Sequence, residues 1–136
     1  DIELLASSNT VATLLPGAEF STHVQAGIGR RFLDAGATVA IASDCNPGSS
    51  YTTSMPFCIA SAVSLLGFTV EEAVRAATLG GAQALRRSDI GQLSVGKRAD
   101  LVLLETPSYI HLAYRPGVNL IHSTYKSGRA VTSWQK

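Results

Sequence analysis

Thr38-Val39-Ala40-Ile41-Ala42-Ser43-Asp44-Cys45-Asn46-Pro47-Gly48-Ser49-Ser50 is the stretch from which the fold is read. Its first part runs through apolar and β-branched residues without alternation, the pattern of a strand covered on both faces. The run ends on a carboxylate, and a short polar loop follows. A similar run, Val11-Ala12-Thr13-Leu14-Leu15, lies upstream and is closed by Pro16-Gly17. Between the two, a helix is expected over His23 to Ala35. Thr22 would cap it, Arg30, Arg31 and Asp34 would face water, and Gly36 would stop it. Strand, helix, strand at this spacing reads as a βαβ unit with parallel strands. Ahead of it, Ile2 to Ser8 is short and compatible with the tail of a helix.

Two further helices are expected downstream. Ser54 to Leu66 opens on Ser54 and Pro56, suited to a first turn, and Gly67 ends it. Thr69-Val70-Glu71-Glu72 is a capping box, with Phe68 and Ala73 placed to staple the entry. Val70, Ala73, Val74, Ala77, Ala84 and Leu85 keep helical spacing behind it. Glu71, Glu72 and Arg75 read as its solvated face. After Arg87 the text changes to short β runs between turn residues. Leu101 to Leu104, Ile121 to Tyr125 and Ala130-Val131 read as strands, with a tight hairpin at Ser127-Gly128. An α/β half therefore joins a β-rich tail, with the boundary near Ser88.

Composition excludes several function classes. Apolar residues make up 46% of the 136 and charged residues only 15%, which is not the balance of a disordered chain. Lys and Arg number 11 against 10 Asp and Glu, for a net charge of +1, without a basic block. No nucleic-acid surface is expected from that. The longest nearly uncharged stretch, Thr38 to Thr69, is interrupted by Asp44, Pro47, Gly48 and Pro56, so no membrane span is expected either. The two cysteines, Cys45 and Cys58, make no disulfide framework and suit reduced, cytosolic thiols.

The loop after Asp44 is the candidate site. Ligands gather at the carboxyl ends of parallel strands. A carboxylate there can bind a metal, take a proton from water or orient a substrate. Asn46 offers a donor and an acceptor, Gly48 lets a ligand approach the backbone, and Ser49 adds a hydroxyl. The same residues also suit a plain Asx turn completed by Pro47-Gly48, the commoner outcome for such spacing. His23, His111 and His122 form no ligand pair and read as packed or surface residues, His23 being the one placed to reach a site mouth. Cys45 reads as a small residue rather than a nucleophile. Gly27 and Gly29 lack the context of a dinucleotide motif. Pro16 to Phe20 reads as a strand-to-helix loop.

At Gly91-Gln92-Leu93-Ser94-Val95-Gly96-Lys97-Arg98-Ala99-Asp100-Leu101-Val102 the chain resembles the return segment of the amidohydrolase superfamily. The capped helix running through Ala76-Ala77-Thr78 and Gly81-Ala82-Gln83-Ala84-Leu85 is similar to the helix preceding that segment. Leu14-Leu15-Pro16-Gly17, Ser43 to Ser49 and Tyr109 to Arg115 resemble the imidazolonepropionase family within it. The resemblance implies the C-terminal part of a (β/α)8 metal-dependent hydrolase barrel plus part of a composite β-sandwich. Residues 1–87 would carry the last two barrel strands, and 88–136 the sandwich portion. It implies that Asp44 is a catalytic proton carrier and a ligand of one divalent metal, zinc or iron. It also implies that Asn46, Gly48 and Ser49 contact a small-molecule substrate, 4-imidazolone-5-propanoate. A cytoplasmic enzyme, homodimeric at full length, is the implied setting.

The family's H-x-H pair, further metal histidine, acid/base partners and substrate arginine have no match in this chain. A complete barrel takes roughly 250 residues. One carboxylate does not hold a catalytic zinc, which takes about three protein ligands. The chain by itself is expected to be inactive, and its apolar strand edges to favour self-association. Two other readings stay open: a different amidohydrolase, such as a deaminase or another cyclic-amide hydrolase, and a non-catalytic structural or interaction remnant.

Overall fold

A computed structural model describes residues 1–23 and 28–133. After a short helix α1 (Ile2–Ala6), strand β1 (Val11–Leu14) pairs in parallel with β2 (Thr38–Ile41). The register runs from Val11 against Thr38 to Leu14 against Ile41. The Ala42 N–H adds one rung by donating to the Leu14 carbonyl at 3.0 Å. The expected βαβ arrangement is therefore present, and β2 is buried from Val39 to Ile41. β1 differs from the expectation: Thr13 is exposed between buried Ala12 and Leu14.

The connection is built differently from the single helix expected over His23 to Ala35. Helix α2 (Pro16–Thr22) begins directly at Pro16, where a fixed φ and a missing N–H cost nothing. Thr22 is the last residue of that helix rather than the cap of the next, and its hydroxyl donates back to the Ala18 carbonyl at 2.7 Å. His23 then turns left-handed, with φ of 53°. Helix α3 (Ile28–Asp34) supplies the second half and ends near Gly36. Gly27, part of the Gly-x-Gly pair, lies outside the described residues.

Helix α4 (Met55–Leu66) carries the core. Ser54 Oγ accepts from the Phe57 N–H at 3.2 Å, Pro56 sits in the first turn, and Gly67 ends the helix in a left-handed conformation. Cys58, Ala62 and Leu66 are fully buried, among Leu14, Val39, Ile41, Phe68, Ala73, Leu112 and Leu120. Burial pushes the Cys58 thiol pKa up, so this sulfur serves as a small hydrophobe. Phe57 meets Phe20 of α2 edge to face, with ring centroids 5.3 Å apart.

Helix α5 (Val70–Arg75) has the expected capping box. Thr69 Oγ accepts from the Glu72 N–H at 3.2 Å, and Glu72 Oε2 accepts from the Thr69 N–H at 2.8 Å. Phe68 and Ala73 are both buried, as a hydrophobic staple requires. Glu71 and Glu72 are not simply solvated. The Arg30 guanidinium donates to both carboxylate oxygens of Glu72, at 2.7 and 2.9 Å, and Glu71 accepts from the Tyr109 hydroxyl at 3.0 Å.

The helix then departs from α geometry. Ala76–Gly80 forms a π turn, followed by α6 (Gly81–Ala84). The wider turn shifts the phase of everything after it. Ala76 and Ala82 are buried, whereas Ala84 and Leu85, expected on the apolar stripe, are exposed. The turn brings Gly80 onto β2 so closely that a β-carbon there would collide with the Val39 carbonyl oxygen.

In the C-terminal part, β3 (Leu101–Leu104), β4 (Ile121–Lys126) and β5 (Arg129–Ser133) form an antiparallel sheet in that order. Ser127 and Gly128 both have positive φ, 51° and 76°, as a tight two-residue hairpin turn demands. Asp100 braces this turn, accepting from the Ser127 N–H at 2.8 Å and from Arg98 at 2.5 Å. A short helix α7 (His111–Tyr114) between β3 and β4 went unannounced in the sequence, and its Leu112 packs into the core.

Candidate functional site

The candidate loop leaves the carboxyl end of β2 through a sharp bend. Asp44 has φ of 49°, a left-handed conformation that Asp and Asn tolerate better than most residues. The bend places its carboxylate in solvent. Asn46 then organises the loop around itself. Its Oδ1 accepts from the N–H groups of Gly48 and Ser49, at 2.8 and 2.9 Å. Its Nδ2 lies 2.6 Å from the Asp44 carbonyl oxygen, 3.2 Å from Asp44 Oδ2 and 3.1 Å from Ser49 Oγ.

Asp44, Asn46, Gly48 and Ser49 thus come together as one hydrogen-bonded unit. The Asx turn weighed from the sequence is present, and Asn46 also bonds the Asp44 carboxylate. Asp44 Oδ2 receives the Asn46 amide, and Oδ1 accepts no hydrogen bond among the described residues. Such a group can accept a proton or bind a cation on its open side.

The other candidates lie elsewhere. His23 is exposed at the end of α2, and no hydrogen bond joins it to the loop among the described residues. His111 opens α7, stacked edge-on against Tyr114, and His122 is exposed on β4. Cys45 is exposed beside Asp44. Glu19 and Phe20 are on α2 rather than in a loop. Burial raises the Glu19 pKa, and Phe20 is committed to Phe57. A cavity of about 350 Å³ lies between the start of α4 and the segment leading into β4, lined by Met55, Phe57, Leu112 and Arg115 among others. None of Asp44, Asn46, Gly48 and Ser49 lines it.

Two residues that sequence reasoning passed over complete the loop. Ser50 is buried, and its hydroxyl donates to the Ser43 carbonyl at 2.5 Å. Gly17, in the first turn of α2, packs against that hydroxyl: a β-carbon on Gly17 would stand 2.5 Å from Ser50 Oγ. The sequence offered no signal for Gly17, since Pro16-Gly17 reads as a loop until the structure puts both residues in a helix, where glycine costs roughly 1 kcal/mol against alanine and marks a close approach.

A metal is a test of this donor set. Among the described residues no group of three His, Cys, Asp or Glu side chains could hold an ion. Asp44 suits one ligand position by its chemistry, but these residues alone do not make a metal site.

Comparison with known proteins places the chain. It is 60% identical over 96% of its length to the imidazolonepropionase of Streptomyces avermitilis, and 63% identical over 99% to that of Mycolicibacterium smegmatis. It covers 32% and 34% of those proteins, so it spans about a third of the length of the curated relatives it matches. Its fold superposes on an adenosine deaminase from Xanthomonas campestris, solved with bound zinc, with a TM-score of 0.83 and 26% identity. That match covers 95% of this chain and 33% of the other. The model of the Amidohydrolase family matches residues 1–131, and the chain belongs to that family.

Proposed function

We propose that this chain is the part of an imidazolonepropionase that carries the Asp44 loop, and that the full-length protein opens 4-imidazolone-5-propanoate to N-formimidoyl-L-glutamate. The observation that carries the reading is the 60% identity to an imidazolonepropionase over 96% of the chain. The loop geometry agrees with it. In this reading β1 and β2 are the last two strands of a (β/α)8 barrel, contained in residues 1–87. Residues 88–136 contribute to a β-sandwich. The full-length protein would be a cytoplasmic homodimer.

Asp44 carries the proton. Its carboxylate takes one proton from the attacking water as the water oxygen adds to the ring carbonyl carbon. It returns that proton to the ring nitrogen as the C–N bond breaks. Asn46 keeps one oxygen of the carboxylate engaged and leaves the other toward the substrate. The loop edge formed by Asn46, Gly48 and Ser49 receives polar groups of substrate and product. One divalent metal, zinc or iron, would polarise the carbonyl and acidify water. This chain would contribute Asp44 as one ligand to it.

The test is turnover by the full-length protein on a panel of ring substrates. Release of N-formimidoyl-L-glutamate from 4-imidazolone-5-propanoate, with no ammonia released from aminopurines, is expected. Deamination of a purine without ring opening of the imidazolone would overturn the substrate assignment in favour of a deaminase.

A further inference from the structure

We infer that Ser50 is a positioning residue for Asp44, acting through the Ser43 carbonyl and seated by the missing side chain of Gly17. The inference rests on the reading of Asp44 as the proton carrier. It adds a residue that touches neither substrate nor the reacting atoms.

The candidate loop is a closed ring, and Ser50 is its clasp. Ser43 is the last residue before the bend and Ser50 the first after the loop. The hydroxyl of one bonds the carbonyl of the other at 2.5 Å. Beside this bond, the Asn46 N–H donates to the Ser50 carbonyl at 3.0 Å, and the Ser50 N–H donates to the Asn46 carbonyl at 3.3 Å. Asp44 sits between the two ends with φ of 49°. A left-handed conformation at a non-glycine residue persists only when its surroundings hold it. The Ser43 carbonyl belongs to the peptide that leads into Asp44, so the Ser50 hydroxyl fixes the plane from which that φ is measured.

Gly17 explains why the clasp closes here. Ser50 is 1% exposed, and the space its oxygen occupies is the space a Gly17 side chain would need. Gly17 follows β1 as Asp44 follows β2, so the clasp packs where the exits of the two parallel strands meet. The Ser50 hydroxyl is buried and spent on the carbonyl before the carboxylate.

Four versions of the full-length protein test the inference: wild type, Asp44→Ala, Ser50→Ala and the double variant Gly17→Ala with Ser50→Ala. The double variant puts a methyl group beside the place the oxygen left, 2.5 Å from it, and fills part of the vacated space without restoring the bond. Ser50→Ala is expected to lower kcat by about tenfold to a hundredfold, the scale of a small misplacement of a reacting group. KM should stay within about twofold, because substrate contacts remain. The double variant should recover the melting temperature but not kcat. Backbone amide exchange over residues 44–49 should be faster in both.

Recovery of both kcat and melting temperature in the double variant would reduce Ser50 to a space filler and overturn the inference. So would a rise in KM at constant kcat. Failure of both Ser50 variants to fold would make the hydroxyl a folding element and overturn it equally. An inactive Asp44→Ala beside a fully active Ser50→Ala sinks the positioning role alone. A fully active Asp44→Ala sinks the proton-carrier reading and this inference with it.

Discussion

β2 and β3 are both four-residue runs of apolar character, Thr-Val-Ala-Ile and Leu-Val-Leu-Leu, and they end in opposite surroundings. β2 is buried from Val39 to Ile41, with Gly80 laid on its backbone and α4 nearby. β3 leaves Val102 47% and Leu103 45% exposed, on opposite faces of its sheet. The periodicity of a strand reports what its side chains need and says nothing of which layer supplies it. In β2 that layer is a helix of the same chain. The open faces of β3 match the proposal that this sheet is one portion of a composite sandwich.

Substitutions at the two strands and their covers should separate chemistry from stability. The largest effect is expected at the exit of the buried strand. Asp44→Ala in the full-length protein should lower kcat by about 10²- to 10⁴-fold, and should also cost about 1–2 kcal/mol of stability, since alanine adopts the left-handed φ of 49° less readily than aspartate. Steady-state kinetics and a thermal melt check both halves. Next comes the cover of β2. Leu66→Ala should cost about 2–5 kcal/mol in denaturant unfolding, because Leu66 is fully buried and leaves a cavity. Gly80→Ala should cost about 1–3 kcal/mol by overpacking against β2. A neutral result there would mean that the π turn can slide away from Val39.

The open strand should respond in the opposite way. Val102→Lys should leave stability within about 0.5 kcal/mol and reduce self-association of the 136-residue chain. Light scattering across a concentration series reads this, and unchanged association would point to the edge of β1 or β2 instead.

The smallest effect concerns pH. Hydrogen bonds from Arg30, foremost, hold the Glu72 pKa below the ordinary glutamate value of 4.5. A carboxylate depressed in the folded state stabilises above its unfolded pKa, and that contribution fades as pH falls through the folded value. Glu72→Gln should therefore flatten the part of the stability profile just below 4.5. It should also lower the melting temperature slightly at neutral pH. An unchanged acid limb would show that the pair contributes nothing measurable, as exposed ion pairs often do.

Much of the fold could be read from local chemistry. The Ser54 cap, the Thr69 capping box and the Ser127-Gly128 turn are set by side chain to backbone bonds within a few residues. They appear in the structure where the text marks them. The strand-end carboxylate and the Asn46 loop were legible for the same reason, since an Asx turn is built from neighbours. The expected helix over His23 to Ala35 was not. Pro16 starts a helix as readily as it closes a strand, and only its place after β1 chose between them.

What local chemistry could not decide was every contact between residues distant in sequence. The π turn exists where Gly80 meets Val39. Glu72 belongs to Arg30 and Glu71 to Tyr109, although by spacing both look solvated. The clasp of Ser50 depends on Gly17, thirty-three positions earlier, in a segment that reads locally as a loop. Turn, cap and strand propensities act over a few bonds, so residue order fixes them. Close approaches between backbones are set by which elements share a layer, and that is settled only when the layers pack.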